Sequence, residues 1–204
     1  MSIKQFKISS NFCYVVYCTK TKKSAIIDPS YNPSVALEFI SSNDFKLEYI
    51  INTHHHSDHT ASNQEIKKIF SAIVIASIAD SPYINGGVEK VVNDSEEIKL
   101  GQVILKFLIT PGHTPGGLCI IVDNEALLTG DTLFIGDCGR TDLPGGNLGQ
   151  MYNTLNEKIK TLPDHLIIYP GHDYGHRPYD TLGNQKKTNK TLLAKNLEEF
   201  SKIP

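Results

Sequence analysis

Three observations predict a layered α/β architecture. Short apolar runs rich in β-branched and aromatic residues alternate with segments of helical periodicity. Several of these runs end at once in a loop carrying Gly, His or Asp: IINT-HHHSDH, FLIT-PGHTPGG, LLT-GDT and IIY-PGHD. The 204 residues are 40% hydrophobic and 21% charged, which is ordinary globular usage and enough chain for one domain or two tightly fused halves.

Each element has its own signal. Residues 11–18 (NFCYVVYC) and 24–30 (SAIIDPS) read as a hairpin ending in a loop at Asp28-Pro29. A helix is expected over 32–42, with Asn32 as N-cap, Pro33 at the first helical position, and Val35, Phe39 and Ile40 on one face. Residues 47–53 (LEYIINT) form a short buried strand. Residues 60–70 repeat apolar side chains at Ile66, Ile69 and Phe70, and 72–77 (AIVIAS) return to strand character. Residues 96–110 are two strands around a glycine, and 118–131 are two apolar runs joined by Asp-Asn, a hairpin signal. A helix follows over 145–162 with Leu148, Met151, Leu155 and Ile159 in line. Residues 165–172 hold a last strand, and 189–203 read as a C-terminal helix.

Net charge is −2, which points to neither a nucleic-acid nor an anionic-membrane partner. The longest apolar run, FCYVVYC, is far too short to span a bilayer. The start, MSIKQFKISSN, lacks the apolar stretch of a signal peptide, so a cytoplasmic location is expected. Cys13, Cys18, Cys119 and Cys138 form no C-x-x-C pair and are expected as free thiols, the first three as small core residues.

The chemistry is concentrated in THHHSDHT (53–60), which holds four of the chain's eight histidines. His54, His56, Asp58 and His59 form H-x-H-x-D-H at the end of a strand. Alternate side chains share a face there, so His54 and His56 point together while His55 faces away and binds nothing. Imidazoles and a carboxylate so arranged suit a borderline or hard divalent metal: Zn, Fe or Mn. His113, Asp131 and His172 each follow another strand beside glycine. Singly, each reads as a polar loop residue or turn cap. Together with the cluster they make seven candidate ligands. That set fits two neighbouring metals with Asp131 bridging, or one metal with the remaining residues behind it.

T-H-H-H-S-D-H-T, P-G-H-T-P-G-G, T-G-D-T-L-F and P-G-H-D-Y, in this order, resemble the metallo-β-lactamase superfamily from about residue 10 to 190. The resemblance implies a four-layer αββα sandwich, with two mixed β-sheets flanked by helices and the metals at one edge. It assigns His54, His56 and His113 to a first metal, and Asp58, His59 and His172 to a second, with Asp131 bridging. It also gives Asp58 and Asp131 catalytic roles. Residues 133–147 (LFIGDCGRTDLPGGN) and 169–189 (YPGHDYGHRPYDTLGNQKKTN) are similar to the persulfide dioxygenase-like branch. By that likeness one iron sits on His54, His113 and Asp131, Arg140 and Tyr174 meet the substrate, and Asp173 and Cys138 stand behind the ligands. For Arg140 a salt bridge with Asp142 or Asp137 is the competing reading, and for Cys138 it is loop packing.

The implied activity is conversion of a low-molecular-weight persulfide and O2 to sulfite and thiol. The alternative is glyoxalase II-like hydrolysis of a hydroxyacylglutathione or other thioester by metal-activated water, and the third reading is a non-catalytic metal-binding module. The small thiol-derived substrate is glutathione-like or rides on another carrier, and a homodimer is left open. Residues 1–204 are expected as a single metallo-β-lactamase domain without the extra C-terminal helical domain of long-form glyoxalase II.

Overall fold

The computed structural model describes residues 2–203. Its first sheet holds β1 (Ile3–Ile8), β2 (Asn11–Cys18), β3 (Lys23–Ile27), β4 (Lys46–Ile51), β5 (Ile73–Ser77) and β6 (Lys90–Val92), in that order. The second runs β12 (Asp180–Thr181), β11 (Ile167–Pro170), β10 (Ala126–Gly130), β9 (Leu118–Val122), β8 (Val103–Ile109), β7 (Glu97–Leu100). Both sheets are mixed: β3 to β6 are parallel neighbours, as are β10 and β11, and the other pairs are antiparallel.

Strand parity builds the layers. In β2, Phe12, Tyr14, Val16 and Cys18 face Leu105, Phe107, Leu118 and Ile120 of the other sheet. The alternate residues Cys13 and Val15 pack outward under α1 (Ser34–Ser42) and α3 (Asn63–Phe70). The outer face of the second sheet, with Cys119, Ile121 and Leu127, is covered by α4 (Leu148–Asn153), α5 (Leu182–Thr188), α6 (Lys190–Leu193) and α7 (Leu197–Phe200). This is the αββα sandwich. Central strands buried on both faces read as continuous apolar runs, which is why β2 and β9 were conspicuous in the sequence. The β9–β10 turn places Asp123 and Asn124 at φ 51° and 56°, the paired left-handed geometry that an Asp-Asn hairpin favours.

The structure departs from expectation at several elements. β1 was not foreseen; it is a lysine-bearing edge strand with little apolar signal. β6 and β12 are too short to carry a pattern. α1 starts at Ser34 with Pro33 at the cap position, and Asn32 Oδ1 accepts from Ser34 N. Its buried face holds Ala36 and Ile40, while Val35 is exposed. In α3 Ile66 is buried and Ile69 is exposed. α4 carries the predicted stripe, and Met151, Leu155 and Ile159 are fully buried, through a widened turn over Thr154–Lys158 and a tighter one over Ile159–Thr161. The expected C-terminal helix is instead α6 and α7, separated where Asn196 caps the second by accepting from Glu199 N. α5, unforeseen, precedes them.

Chain direction explains the position of the site. β3, β4 and β5 are parallel, so their C-terminal ends lie side by side, and β8, β10 and β11 also end on one edge of their sheet. The two edges meet: Thr53 O accepts from Leu118 N at 2.7 Å, and Gly171 O from Phe12 N at 2.8 Å.

Candidate metal centre

Seven side chains arrive at this edge from four strand ends. The loop after β4 and the following short helix α2 (Ser57–Thr60) carry His54, His56, Asp58 and His59. His113 comes from the loop after β8, Asp131 follows β10 and His172 follows β11. The nitrogens of His54, His56 and His113 lie close enough to share an ion, as do the donor atoms of Asp58, His59 and His172. His56 Nδ1 and His113 Nε2 are 3.0 Å apart, and His59 Nε2 and His172 Nε2 are 3.2 Å apart. Asp131 stands between the two groups, with Oδ1 3.5 Å from His59 Nε2 and Oδ2 3.5 Å from His113 Nε2 and 3.2 Å from His172 Nε2. Gly171 is required for this approach, since a β-carbon there would strike Asp131 Oδ1.

Whether these residues fit a metal can be tested on their hydrogen bonding. His54 Nε2 and Asp131 Oδ1 are buried atoms with no hydrogen-bond partner. Buried polar atoms seldom go unpaired, and ring nitrogens turned towards one another have nothing else to bond. The donor set is imidazole and carboxylate, suited to Zn, Fe or Mn. The site fits one or two divalent ions.

Electrostatics supports the same reading for the first group. Burial lowers the pKa of His54 well below the histidine range, and His56 falls to about 4, with burial again the main cause. Both are therefore neutral imidazoles, the ligating form. For His59 burial works downward, but the carboxylates of Asp131 and Asp28 win and raise it to about 9. Burial opposes ionisation of Asp131, yet His59 and the bond from His172 hold its carboxyl far below the usual range. For Asp58 burial is likewise outweighed, by His59 and the Asn11 amide.

Three residues behind the ligands were missed by sequence reasoning. Asp28, buried at the end of β3 with φ 49°, accepts from Thr53 N (2.8 Å) and Thr53 Oγ1 (2.6 Å), and from His59 Nδ1 (3.0 Å). It thereby turns His59 Nε2 towards the cluster. Asn11 Nδ2 donates to Asp58 Oδ2 at 2.9 Å. Asp80 is the third. The signal for Asp28 was present, because IID-PS repeats the strand-end pattern that singled out the ligands.

A cavity of about 330 Å³ opens on His113 and Asp131 and is walled by Phe134, Cys138, Arg140 and Tyr174. Tyr174 stacks on His172 with centroids 4.6 Å apart and meets Phe134 edge-on at 5.3 Å. Arg140 forks onto Asp142 (2.6 and 2.7 Å), as the salt-bridge reading had it, while its backbone carbonyl accepts from His113 Nδ1 at 2.7 Å. Asp173 is turned away: its carboxylate pairs with Lys7 of β1 at 2.5 Å, since neighbours in extended chain point to opposite sides. Cys138 packs with Leu133, Ile135 and Met151, and burial, then Asp137, pushes its thiol up to about 12. His55 leaves the cluster, with Nδ1 3.0 Å from Asp80 Oδ2 and its ring against Tyr83. All four cysteines are free and buried.

The family model of the metallo-beta-lactamase superfamily matches residues 8–172. The chain belongs to this superfamily. Within it, the chain is 33% identical over 197 residues to a probable hydroxyacylglutathione hydrolase of Schizosaccharomyces pombe, covering 93% of this chain and 72% of the relative. It is 30% identical over 200 residues to the mitochondrial persulfide dioxygenase ETHE1 of Homo sapiens, covering 96% and 76%. The crystal structure of ETHE1 from Myxococcus xanthus superposes with a TM-score of 0.89 at 30% identity, over 98% of this chain and 88% of that one. Relatives of this chain thus include both hydrolases and dioxygenases by name. Among the described residues no helix is long and apolar enough to cross a membrane.

Proposed function

We propose that this chain is a single-domain metalloenzyme acting on a small thiol derivative, with persulfide dioxygenation as the first reading. One observation carries it. The cavity opens on His113 and Asp131, and the family resemblance adds His54 to make a two-histidine, one-carboxylate set suited to non-haem iron and oxygen chemistry. An iron ion held by these residues would supply coordination positions for the substrate sulfur and for O2. The chain's own residues do the rest. Phe134 and Tyr174 give the cavity an apolar, aromatic wall that takes a thiol's carbon skeleton and limits water. The carbonyl of Arg140 fixes the His113 ring through Nδ1, leaving Nε2 for the metal. The Arg140 guanidinium reaches a carrier carboxylate only by leaving Asp142, an exchange between exposed groups that costs little.

Thioester hydrolysis is the second reading, and a specific observation favours it. The Asp58, His59 and His172 group is complete and Asp131 stands between the two groups, the layout of a two-metal site. On this reading Asp58, whose Oδ2 accepts from Asn11 Nδ2, orients a nucleophilic water.

The discriminating experiment is elemental analysis of freshly purified protein, followed by assays on glutathione persulfide and on a 2-hydroxyacyl thioester of glutathione. One iron per chain with oxygen uptake is the expected result. Two metals, thioester cleavage and no oxygen uptake would replace it with the hydrolase.

A further inference from the structure

Asp80 is fully buried on the turn after β5 and contributes no atom to the candidate ligand set. Both of its carboxylate oxygens are bonded. Oδ1 accepts from Gly116 N at 2.7 Å, and Oδ2 accepts from Thr114 Oγ1 at 2.8 Å and His55 N at 3.0 Å. Ser77 Oγ accepts from Asp80 N at 3.2 Å and fixes the turn. Gly116 is needed for this approach, because a β-carbon there would run into Ser77 Oγ and the Asp80 backbone nitrogen.

The partners come from two different sheets. His55 lies between His54 and His56 on the loop after β4; Thr114 and Gly116 follow His113 on the loop after β8. Those loops supply the whole of the first ligand group, and the His56–His113 nitrogen contact of 3.0 Å spans them. A buried carboxylate with no lysine or arginine partner is costly unless it is hydrogen-bonded, and here the His55 ring also lies against it, with Nδ1 3.0 Å from Oδ2. Here each bond goes to a loop bearing a ligand.

We propose that Asp80 is a positioning residue that clamps the His54–His56 loop to the His113 loop and thereby sets the affinity of the first metal site. The inference rests on the metal reading above. Outer partners of this kind typically govern metal affinity by about 10–100-fold.

The test is zinc titration of metal-stripped full-length protein against a chromophoric chelator, with Co(II) spectra and the melting temperature of the metal-free form. In Asp80→Asn, which keeps the shape but sets amide hydrogens against the His55 N–H and Thr114 hydroxyl, one equivalent is expected to weaken about 10–100-fold. If the wild-type chain takes up a single equivalent, that one should weaken; where it takes up a second, on Asp58, His59 and His172, the second should keep its wild-type affinity. Thr114→Val, which removes one bond, should give a smaller loss in the same equivalent, and it serves alone if Asp80→Asn does not fold. Wild-type affinity for both equivalents in these variants would overturn the inference. So would equal weakening of both alongside a fall in apo melting temperature, the mark of a general staple. If the wild-type chain takes up no metal, the metal reading fails first and the inference with it.

Discussion

Replacing Asp28 with asparagine should weaken the second metal site and spare the first. Asp28 Oδ2 accepts from both His59 Nδ1 and Thr53 Oγ1, while Oδ1 takes Thr53 N. In Asp28→Asn the remaining oxygen can keep Thr53 N, and the new amide then faces His59 Nδ1. Two donors cannot meet, so the imidazole proton is driven to Nε2, the nitrogen that faces Asp58, His172 and Asp131. A protonated Nε2 cannot ligate. The lost charge-assisted bond is worth about 1.5–3 kcal/mol. At about 1.4 kcal/mol per tenfold, this is a loss of about 10–100-fold in affinity for one metal equivalent. Zinc titration of metal-stripped protein against a chromophoric chelator measures it, with thermal melting as a check on folding. A folded Asp28→Asn protein that binds two equivalents with wild-type affinity would refute the reasoning. So would a loss confined to the equivalent held by His54, His56 and His113.

Other outcomes follow from the same site. In the metal-free protein His59 titrates at about 9, above its unfolded value, so its stabilising contribution is complete below about pH 6.5 and lost as pH rises towards about 9. Denaturant melts of apo protein across that window should show falling stability while zinc affinity rises, and flat curves would contradict the assignment. Tyr174→Ala removes the ring stacked on His172 and edge-on to Phe134, contacts worth about 0.5–1.5 kcal/mol each. Its KM should rise about tenfold with metal content unchanged; an unaltered KM would remove Tyr174 from the substrate wall. The Cys138 thiol is buried and pushed up to about 12, so native protein treated with iodoacetamide at pH 8 should be unmodified there by peptide mapping. Rapid alkylation of Cys138 would show a reactive thiol and contradict its burial.

Particular residues show how far the sequence could be read. His54, His56, Asp58 and His59 were legible because a polar cluster straight after LEYIIN had no packing role to explain it. His113, Asp131 and His172 were legible because each repeats that strand-end placement. The stripe over 145–162 is legible because Met151, Leu155 and Ile159 recur at helical spacing through α4 and the two turns after it, and all three are fully buried. Val35 and Ile69 were misassigned because helical spacing gives a set of faces, and only the opposing layer decides which one is buried. The tail was read as one helix because periodicity does not register the break before Asn196.

The amino-acid sequence by itself determined the layered α/β class, the strand-end loops and the identity of the candidate metal ligands. These are local properties, set by alternation, turn chemistry and residue type. The tertiary structure brought together the two ligand groups that the family resemblance implies, and set the distances at which Asp131 lies between them. It also decided that Asp28, Asn11 and Asp80 stand behind them, that Asp173 turns to Lys7, and that Arg140 pairs with Asp142. Apart from the Arg140–Asp142 pair, those relations join residues tens of positions apart in the chain. No local pattern records them, because they arise only when the two sheet edges meet.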